Sequence, residues 1–513
     1  MPSYKNIDKS TAFQKLQSLP SYDLGTLDAA RVGEFETDLA AGLRFNYAAR
    51  AVTTDILDQL QKLAEDQELI AKYREILSGE VMNTGEGRMV LHHLMRGELA
   101  GSVMHDGRNL REFYEEQRQR VADFADKVHA GAIKSSTGKI FDTVVQIGIG
   151  GSDLGPRALY LALQNYVEQR GGGTKMKAHF ISNVDPDDAA AVIAGVNPET
   201  TLFILVSKSG TTQETLTTEQ FVLQQVAEKG ISGLDPRKQM IAVTSETSPL
   251  AGNPDYLDSF NFDDFIGGRY SSSSAVGGAV LSLALGPEVF ASFLAGAHAA
   301  DKAALEPDIR RNAALLDALI GIWERNIAGF PVTAVLPYSQ ALSRFPAHLQ
   351  QLDMESNGKS VNREGEPVSY ATGPVVMGEP GTNGQHSFYQ LLHQGTDIVP
   401  LQFIGFREPQ RREDLAYQGS SSQQKLNANL AAQIIAFAKG QDSENPNKRF
   451  AGGRPSGLIH GDFLGPETLG ALLAHYENKV MFQGLAWNIN SFDQEGVQLG
   501  KLLTKKILGG SDL

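Results

Sequence analysis

The amino-acid sequence predicts an α/β protein built on two doubly wound parallel sheets, with a helical segment before them and a helix at the end. Three observations carry that expectation. The chain has 513 residues, too many for a single hydrophobic core. "FDTVVQIGIGG", "KAHFISNVDP", "TLFILVSKSG" and "QMIAVTSET" are short apolar runs rich in β-branched residues, separated by helix-like stretches such as "TEQFVLQQVAEKG". After the helical "LLDALIGIWERN", the runs "FPVTAVLPYS", "GPVVMGEPG" and "DIVPLQFIGF" repeat the alternation. Continuous rather than alternating apolarity implies strands covered on both faces, and intervening helices imply parallel connections.

In chain order, residues 1–115 read mostly as helix. "LDQLQKLAEDQELIAKYREIL" repeats apolar residues at three- and four-residue spacing with charges between them. "MVLHHLMRG" reads as another amphipathic turn or two, whose adjacent His92 and His93 point to different faces and so do not share a metal. Residues 116–288 are expected to form the first α/β domain and residues 289–513 the second. The two units suggest a duplicated architecture, although no clean repeat is visible. "RFAGGRPSG" reads as a loop before a last helical stretch.

Hydrophobic content of 41% and charged content of 21% are ordinary for a globular chain. A formal net charge of −14 argues against nucleic acid, whose binding needs a basic face. Small anionic ligands remain open, provided a site is locally positive and rich in donors. With no cysteine there is no disulfide framework, thiolate metal site or thiol nucleophile. The first residues lack the pattern of a signal peptide, and no apolar run is long enough to span a bilayer. The expected location is the cytoplasm, with no membrane partner.

"IGIGGSDLGP" is a strand ending in a glycine loop, but Asp153 stands where a dinucleotide fingerprint needs its third glycine. "NGKS" fails as a P-loop because Asp353 occupies the first glycine position. Either loop could be a tight turn, and the first could also bring backbone amides to a ligand. "LVSKSGTTQET" is more specific. A helix cap needs one hydroxyl or two, not Ser207, Ser209, Thr211 and Thr212 beside Lys208. A phosphate monoester has three acceptor oxygens and wants several convergent donors, so this loop is read as a phosphate site. Glu355 in "MESNGKS", His386 in "GTNGQHSFYQLLHQG", Arg269 in "GGRYSSSSAVGG" and Lys501 in "SFDQEGVQLGK" are each ambiguous alone.

Together, in order and spacing, "GIGGSDLGP", "SKSGTTQET", "GGRYS", "MESNGK", "GTNGQHSFYQLLHQG" and "SFDQEGVQLGK" resemble the signatures of the glucose-6-phosphate isomerase family. The resemblance runs from "SGEVMNTGEGR" to the C-terminal helix. It implies two sugar-isomerase (SIS) domains with an active site between them, a sugar-phosphate substrate, a place in glycolysis and gluconeogenesis, and a homodimer. It also implies that no cofactor or metal is needed. By motif, Glu355 resembles the base that moves a proton between C1 and C2, His386 and Lys501 the groups that assist ring opening, and Arg269 the residue that steadies the enediolate. Ser207, Lys208, Ser209 and Thr212 match the phosphate loop, with Gly151 and Ser152 nearby, and Gln351 and Gln494 match positions lining the sugar site. Gly210 and Glu495 depart from the pattern, standing where many relatives carry a larger aromatic side chain.

The residues support that chemistry on their own terms. Interconverting an aldose and a ketose needs one carboxylate to take and return a proton on one face, a fixed cation for the oxyanion, and an acid and base near neutrality. Two alternatives stay open: an isomerase of another sugar phosphate, and a non-catalytic sugar-phosphate-binding protein of the same fold.

Overall fold

The computed structural model describes residues 2–170 and 172–510. Two sheets organise it. The first has five strands, all parallel, in the spatial order Lys177–Ile181, Thr143–Ile147, Thr201–Val206, Met240–Thr244 and Asp258–Asn261. Every residue of the three inner strands is buried, which explains why they are mainly apolar rather than alternating. The chain starts in the Thr143–Ile147 strand, goes to one side, then returns to the other. The crevice at this reversal lies between the ends of Thr143–Ile147 and Thr201–Val206, where ligands of such sheets bind. The glycine loop and the hydroxyl-rich loop both begin there.

The second sheet runs Glu36–Ala40, Leu43–Asn46, Ser456–Gly461, Leu401–Phe406, Val332–Pro337 and Val375–Gly378. Its last four strands are parallel. The first two form an antiparallel hairpin that adds to Ser456–Gly461 in antiparallel sense, so this sheet is not parallel throughout. The hairpin corrects the mostly helical reading of the first 115 residues. Thr37, Leu39, Leu43 and Phe45 are buried while Asp38 and Arg44 are exposed, a two-residue alternation that suits a strand.

Other local expectations need similar correction. The stretch from Leu57 to Leu77 is two helices, Thr54–Asp66 and Leu69–Ser78, broken at Glu68 with φ of +50°. "MVLHHLMRG" forms turns, not a helix, and Met89 to Met95 is buried almost without interruption. The rings of His92 and His93 lie 5.9 Å apart, edge to face. Burial draws both imidazoles to the neutral form. After the "RFAGGRPSG" loop comes the strand Ser456–Gly461, before the helix Pro466–Trp487.

That 22-residue helix is buried along nearly its whole length and packs against Pro287–Ala303 and Ala313–Ile322. Two buried arginines of this core are paired. Arg96 reaches Asp301 at 3.1 Å and also Glu477 and Ser273. Burial pushes the Glu477 carboxyl up to about 7, against the pull of Arg96. Arg50 donates to Glu324 at 2.8 Å and to Gln402 at 2.7 Å. No described helix is long and apolar enough to cross a membrane.

Candidate active site

The hydroxyl-rich loop joins the strand Thr201–Val206 to the helix Gln213–Glu228. Thr212 sits at the cap position of that helix, yet its side chain makes no capping hydrogen bond. Instead it accepts from Ser207 Oγ at 3.0 Å, while Thr211 donates through its amide and its hydroxyl to Ser209 Oγ. The hydroxyls are therefore gathered on one another rather than consumed by the helix end. Gly210 has φ of +65°, and a Cβ there would lie 2.2 Å from Ser248 Oγ. The loop conformation requires glycine here.

Lys208 donates to the Ile266 carbonyl at 3.3 Å and lies 3.9 Å from Asp264. Burial lowers its ammonium below the usual lysine range, and Asp264 opposes that shift. Lys208, Gln494, Gly268, Asn83, Glu86 and Arg88 line one cleft. The last three come from "SGEVMNTGEGR", a stretch that supplied no candidate from sequence.

The glycine loop meets the Arg269 segment. A Cβ on Gly151 would stand 2.1 Å from the Gly268 carbonyl carbon and 2.7 Å from the Arg269 nitrogen, so only glycine permits this approach. Ser152 continues the loop, its carbonyl accepting from Gln146 Nε2 at 2.7 Å. Over Gly150, the Gln351 amide nitrogen would lie 3.3 Å from an added Cβ. These contacts bring Gly151, Ser152, Arg269 and Gln351 to one place.

Arg269 is buried, 1% exposed, on the turn Gly268–Ser273. Its Nε donates to Ser356 Oγ at 2.7 Å, and its Nη2 to the carbonyls of Ser491 and Asp493 at 2.6 and 2.9 Å. The remaining nitrogen, Nη1, makes no hydrogen bond and stands 3.4 Å from Glu355 Oε2, which also makes none. Glu355 ends a π-turn, Gln351–Glu355, which follows the helix Phe345–Gln350. Such turns recur where function asks a helix to re-aim its side chains. Lys359 braces the far end, donating to the Glu355 carbonyl at 2.8 Å and pairing with Asp493 at 3.1 Å.

His386 and Lys501 are not part of this cluster within the chain. His386 is exposed at the end of the turn Asn383–His386. Lys501 is exposed on the helix Gln498–Leu508, none of whose residues is buried. Among the described residues neither side chain has a hydrogen bond or ion pair, and Glu495, also exposed, does not pair with Lys501. Sequence reasoning missed Ser356, Lys359, Ser491 and Asp493. They lie inside the quoted motifs, but nothing in their spacing announces that they hold Arg269 and the Glu355 turn.

The arrangement offers a guanidinium nitrogen and a carboxylate oxygen, ion-paired but free of hydrogen bonds, at one point beside a loop of gathered hydroxyls at a sheet reversal. The family model of phosphoglucose isomerase matches residues 46–512. The glucose-6-phosphate isomerase of Treponema denticola is 61% identical, over 98% of this chain and 97% of its own. That of Borreliella burgdorferi is 47% identical over 99% and 96%. The crystal structure of a glucose-6-phosphate isomerase from Chlamydia trachomatis superposes with a TM-score of 0.92 at 44% identity, covering 98% of this chain and 96% of that one. On these likenesses, which run almost from end to end, the chain belongs to the phosphoglucose isomerase family.

Proposed function

We propose that Glu355 is the group with which this chain, acting as a glucose-6-phosphate isomerase, carries a proton between C1 and C2 of the open-chain sugar. The activity is that of the family; the residue roles are our reading. One observation carries it: Arg269 Nη1 and Glu355 Oε2 form an ion pair at 3.4 Å in which neither atom makes a hydrogen bond, while the other guanidinium nitrogens do. Buried polar atoms left without a hydrogen bond are expensive, and a substrate with adjacent oxygens and a transferable C–H proton gives both a hydrogen-bonding partner. The carboxylate takes the proton from one carbon and returns it to the next, through a cis-enediolate. Arg269, immobile and positive, stabilises the oxygen on which charge develops. Ser207, Lys208, Ser209 and Thr212 hold the phosphate, with Gly151 and Ser152 across the crevice, and Gln351 and Gln494 bound the sugar.

Ring opening falls to His386 and Lys501. His386 is exposed and without partners in its own chain, which supports a homodimer in which it completes the site of a second copy. The working division of the chain is 1–115, 116–288 and 289–513, in a cytoplasmic enzyme of glycolysis and gluconeogenesis. The test is production of glucose 6-phosphate from fructose 6-phosphate, coupled to a glucose-6-phosphate dehydrogenase. Wild type should turn over and Glu355→Gln should lose about 10²-fold or more of that turnover. Equal turnover by the two would overturn the assignment of Glu355.

A further inference from the structure

Behind the turn that carries Glu355 lies a group the mechanism does not use. In a π-turn, residues four apart share a face and the residue midway between them looks the other way. Gln351 and Glu355 thus point together toward Gly150 and Arg269, and Asp353 points into the protein. Its side chain is buried, and Oδ1 has no hydrogen-bond partner. It faces a cavity also lined by Thr333, Gln402, Tyr476, Lys479 and Val480. The Tyr476 hydroxyl is buried there and likewise without a partner. The free interior is about 20 Å³, room for one water and little more.

Val335, Leu349, Leu352 and Val376 complete the lining with apolar groups, and three of its polar groups suit a single water. Asp353 offers an acceptor, Tyr476 a hydroxyl and Lys479 an ammonium, so one molecule can satisfy two orphaned oxygens at once. Lys479 is already 3.3 Å from Asp317, which disfavours a second cation in the same space. Tyr476, Lys479 and Val480 all belong to the buried helix Pro466–Trp487. The same helix accepts Asn357 Nδ2 at the Val480 carbonyl, at 3.0 Å, just past the turn. The chain is therefore tied to that helix just past Glu355, and the cavity lies between the same helix and Asp353 before it.

We propose that Asp353 is a positioning residue for Glu355: through a buried water shared with Tyr476 and Lys479 it fixes the rotation of the π-turn that aims Gln351 and Glu355 into the cleft. The inference rests on the reading of Glu355 as the proton carrier. A wider turn than an α-helix has slack in rotation, and a misplacement of about 1 Å at a reacting group is enough to lose about 10²-fold in rate. An anchor on the opposite face removes that slack without touching substrate.

The experiment compares Asp353→Ala, Asp353→Asn, Tyr476→Phe and Glu355→Gln in the coupled assay, with inhibition by inorganic phosphate measured for each. Asp353→Ala should lower kcat about tenfold or more, leaving KM and the phosphate inhibition constant within about twofold. Asp353→Asn, which can still hold the water, should restore at least about a third of the wild-type kcat. Tyr476→Phe, which deletes a single oxygen and keeps the packing, should lower kcat about threefold with KM unchanged, and it keeps the test alive if Asp353→Ala does not fold. The inference is overturned by a folded Asp353→Ala enzyme of normal kcat, or by a Tyr476→Phe enzyme of normal kcat. It also fails if Asn is as damaging as Ala, or if KM and phosphate inhibition weaken in step with kcat. If Glu355→Gln itself turns over normally, the reading of the site has failed instead.

Discussion

Asp353→Asn should stabilise the protein at pH 8 and lose that advantage as the pH falls. Burial raises the Asp353 carboxyl from 3.8 to about 6, with Lys479 opposing the shift and Asp317 reinforcing it. A carboxyl whose folded value lies above its unfolded value binds its proton more tightly in the native state, so folding is penalised once the pH rises past the unfolded value. The penalty begins near pH 3.8, grows through the window, and is complete above about 6. At about 1.36 kcal/mol per unit, it amounts to about 3 kcal/mol at pH 8, with about half of that remaining at pH 5. The amide has nearly the same shape and no charge to bury, so the variant escapes the penalty. An unfolding entropy of about 2.1 cal/mol/K per residue converts 3 kcal/mol into a Tm gain of roughly 3 °C for a chain of this length. Differential scanning calorimetry of both proteins at pH 8, 6.5 and 5 reads the result. The difference in Tm should shrink by about half across the series. A difference that is flat with pH, or that widens toward acid, would refute the reasoning.

The remaining expectations follow from the same geometry. Glu355→Gln should bind fructose 6-phosphate with KM within about threefold of wild type while losing about 10²–10⁴ in kcat, because the amide cannot accept the proton. Ser209→Ala with Thr212→Ala should mainly raise KM, since these hydroxyls hold a group that does not react; undiminished competition by inorganic phosphate would show that the loop holds something else. Gly151→Ala should lose about 10²-fold in kcat/KM, because its Cβ would lie 2.1 Å from the Gly268 carbonyl carbon and push the Arg269 segment away; steady-state kinetics on the folded variant checks this. Glu355→Gln and His386→Ala proteins, each inactive alone, should regain up to half of the wild-type activity per mixed dimer after brief dissociation and remixing, and no gain with mixed dimers seen by native mass spectrometry would place His386 in its own chain's site.

The sequence announced the first sheet well because its inner strands are buried on both faces, and a mainly apolar run without alternation is a signal no surface element imitates. Asp258–Asn261, one of its two edge strands, reads "DSFN" with only Phe260 fully buried, and an edge needs no apolar run. Ser456–Gly461 carries two glycines and a histidine in six residues, so its composition resembled the loop before it. "MVLHHLMRG" misled for the opposite reason: burial on all sides makes an irregular turn look like an apolar helix, because the period disappears. The hairpin Glu36–Asn46 was too short for its two-residue period to stand out beside long helical patterns.

The site was legible in a different way. Motifs named the side chains that we propose meet substrate, since phosphate, oxyanion and proton each demand particular functional groups. What they did not disclose is the set of groups that holds those side chains still. Arg269 spends three of its donor contacts on Ser356, Ser491 and Asp493, and it is this spending that leaves one nitrogen, Nη1, aimed at Glu355. Spacing along the chain contains nothing about that, because Ser356 and Ser491 are 87 and 222 residues from Arg269. The same logic applies to Asp353, which in the sequence counted only as the wrong residue for a P-loop. A buried carboxyl without a partner is tolerated where the turn above it must not rotate. His386 and Lys501 complete the contrast: their motifs are as specific as that of Glu355, yet the folded chain leaves both side chains in solvent. Residue chemistry can therefore be read from order and spacing, but the assembly of a site depends on packing between distant segments and, where one chain is not enough, between copies.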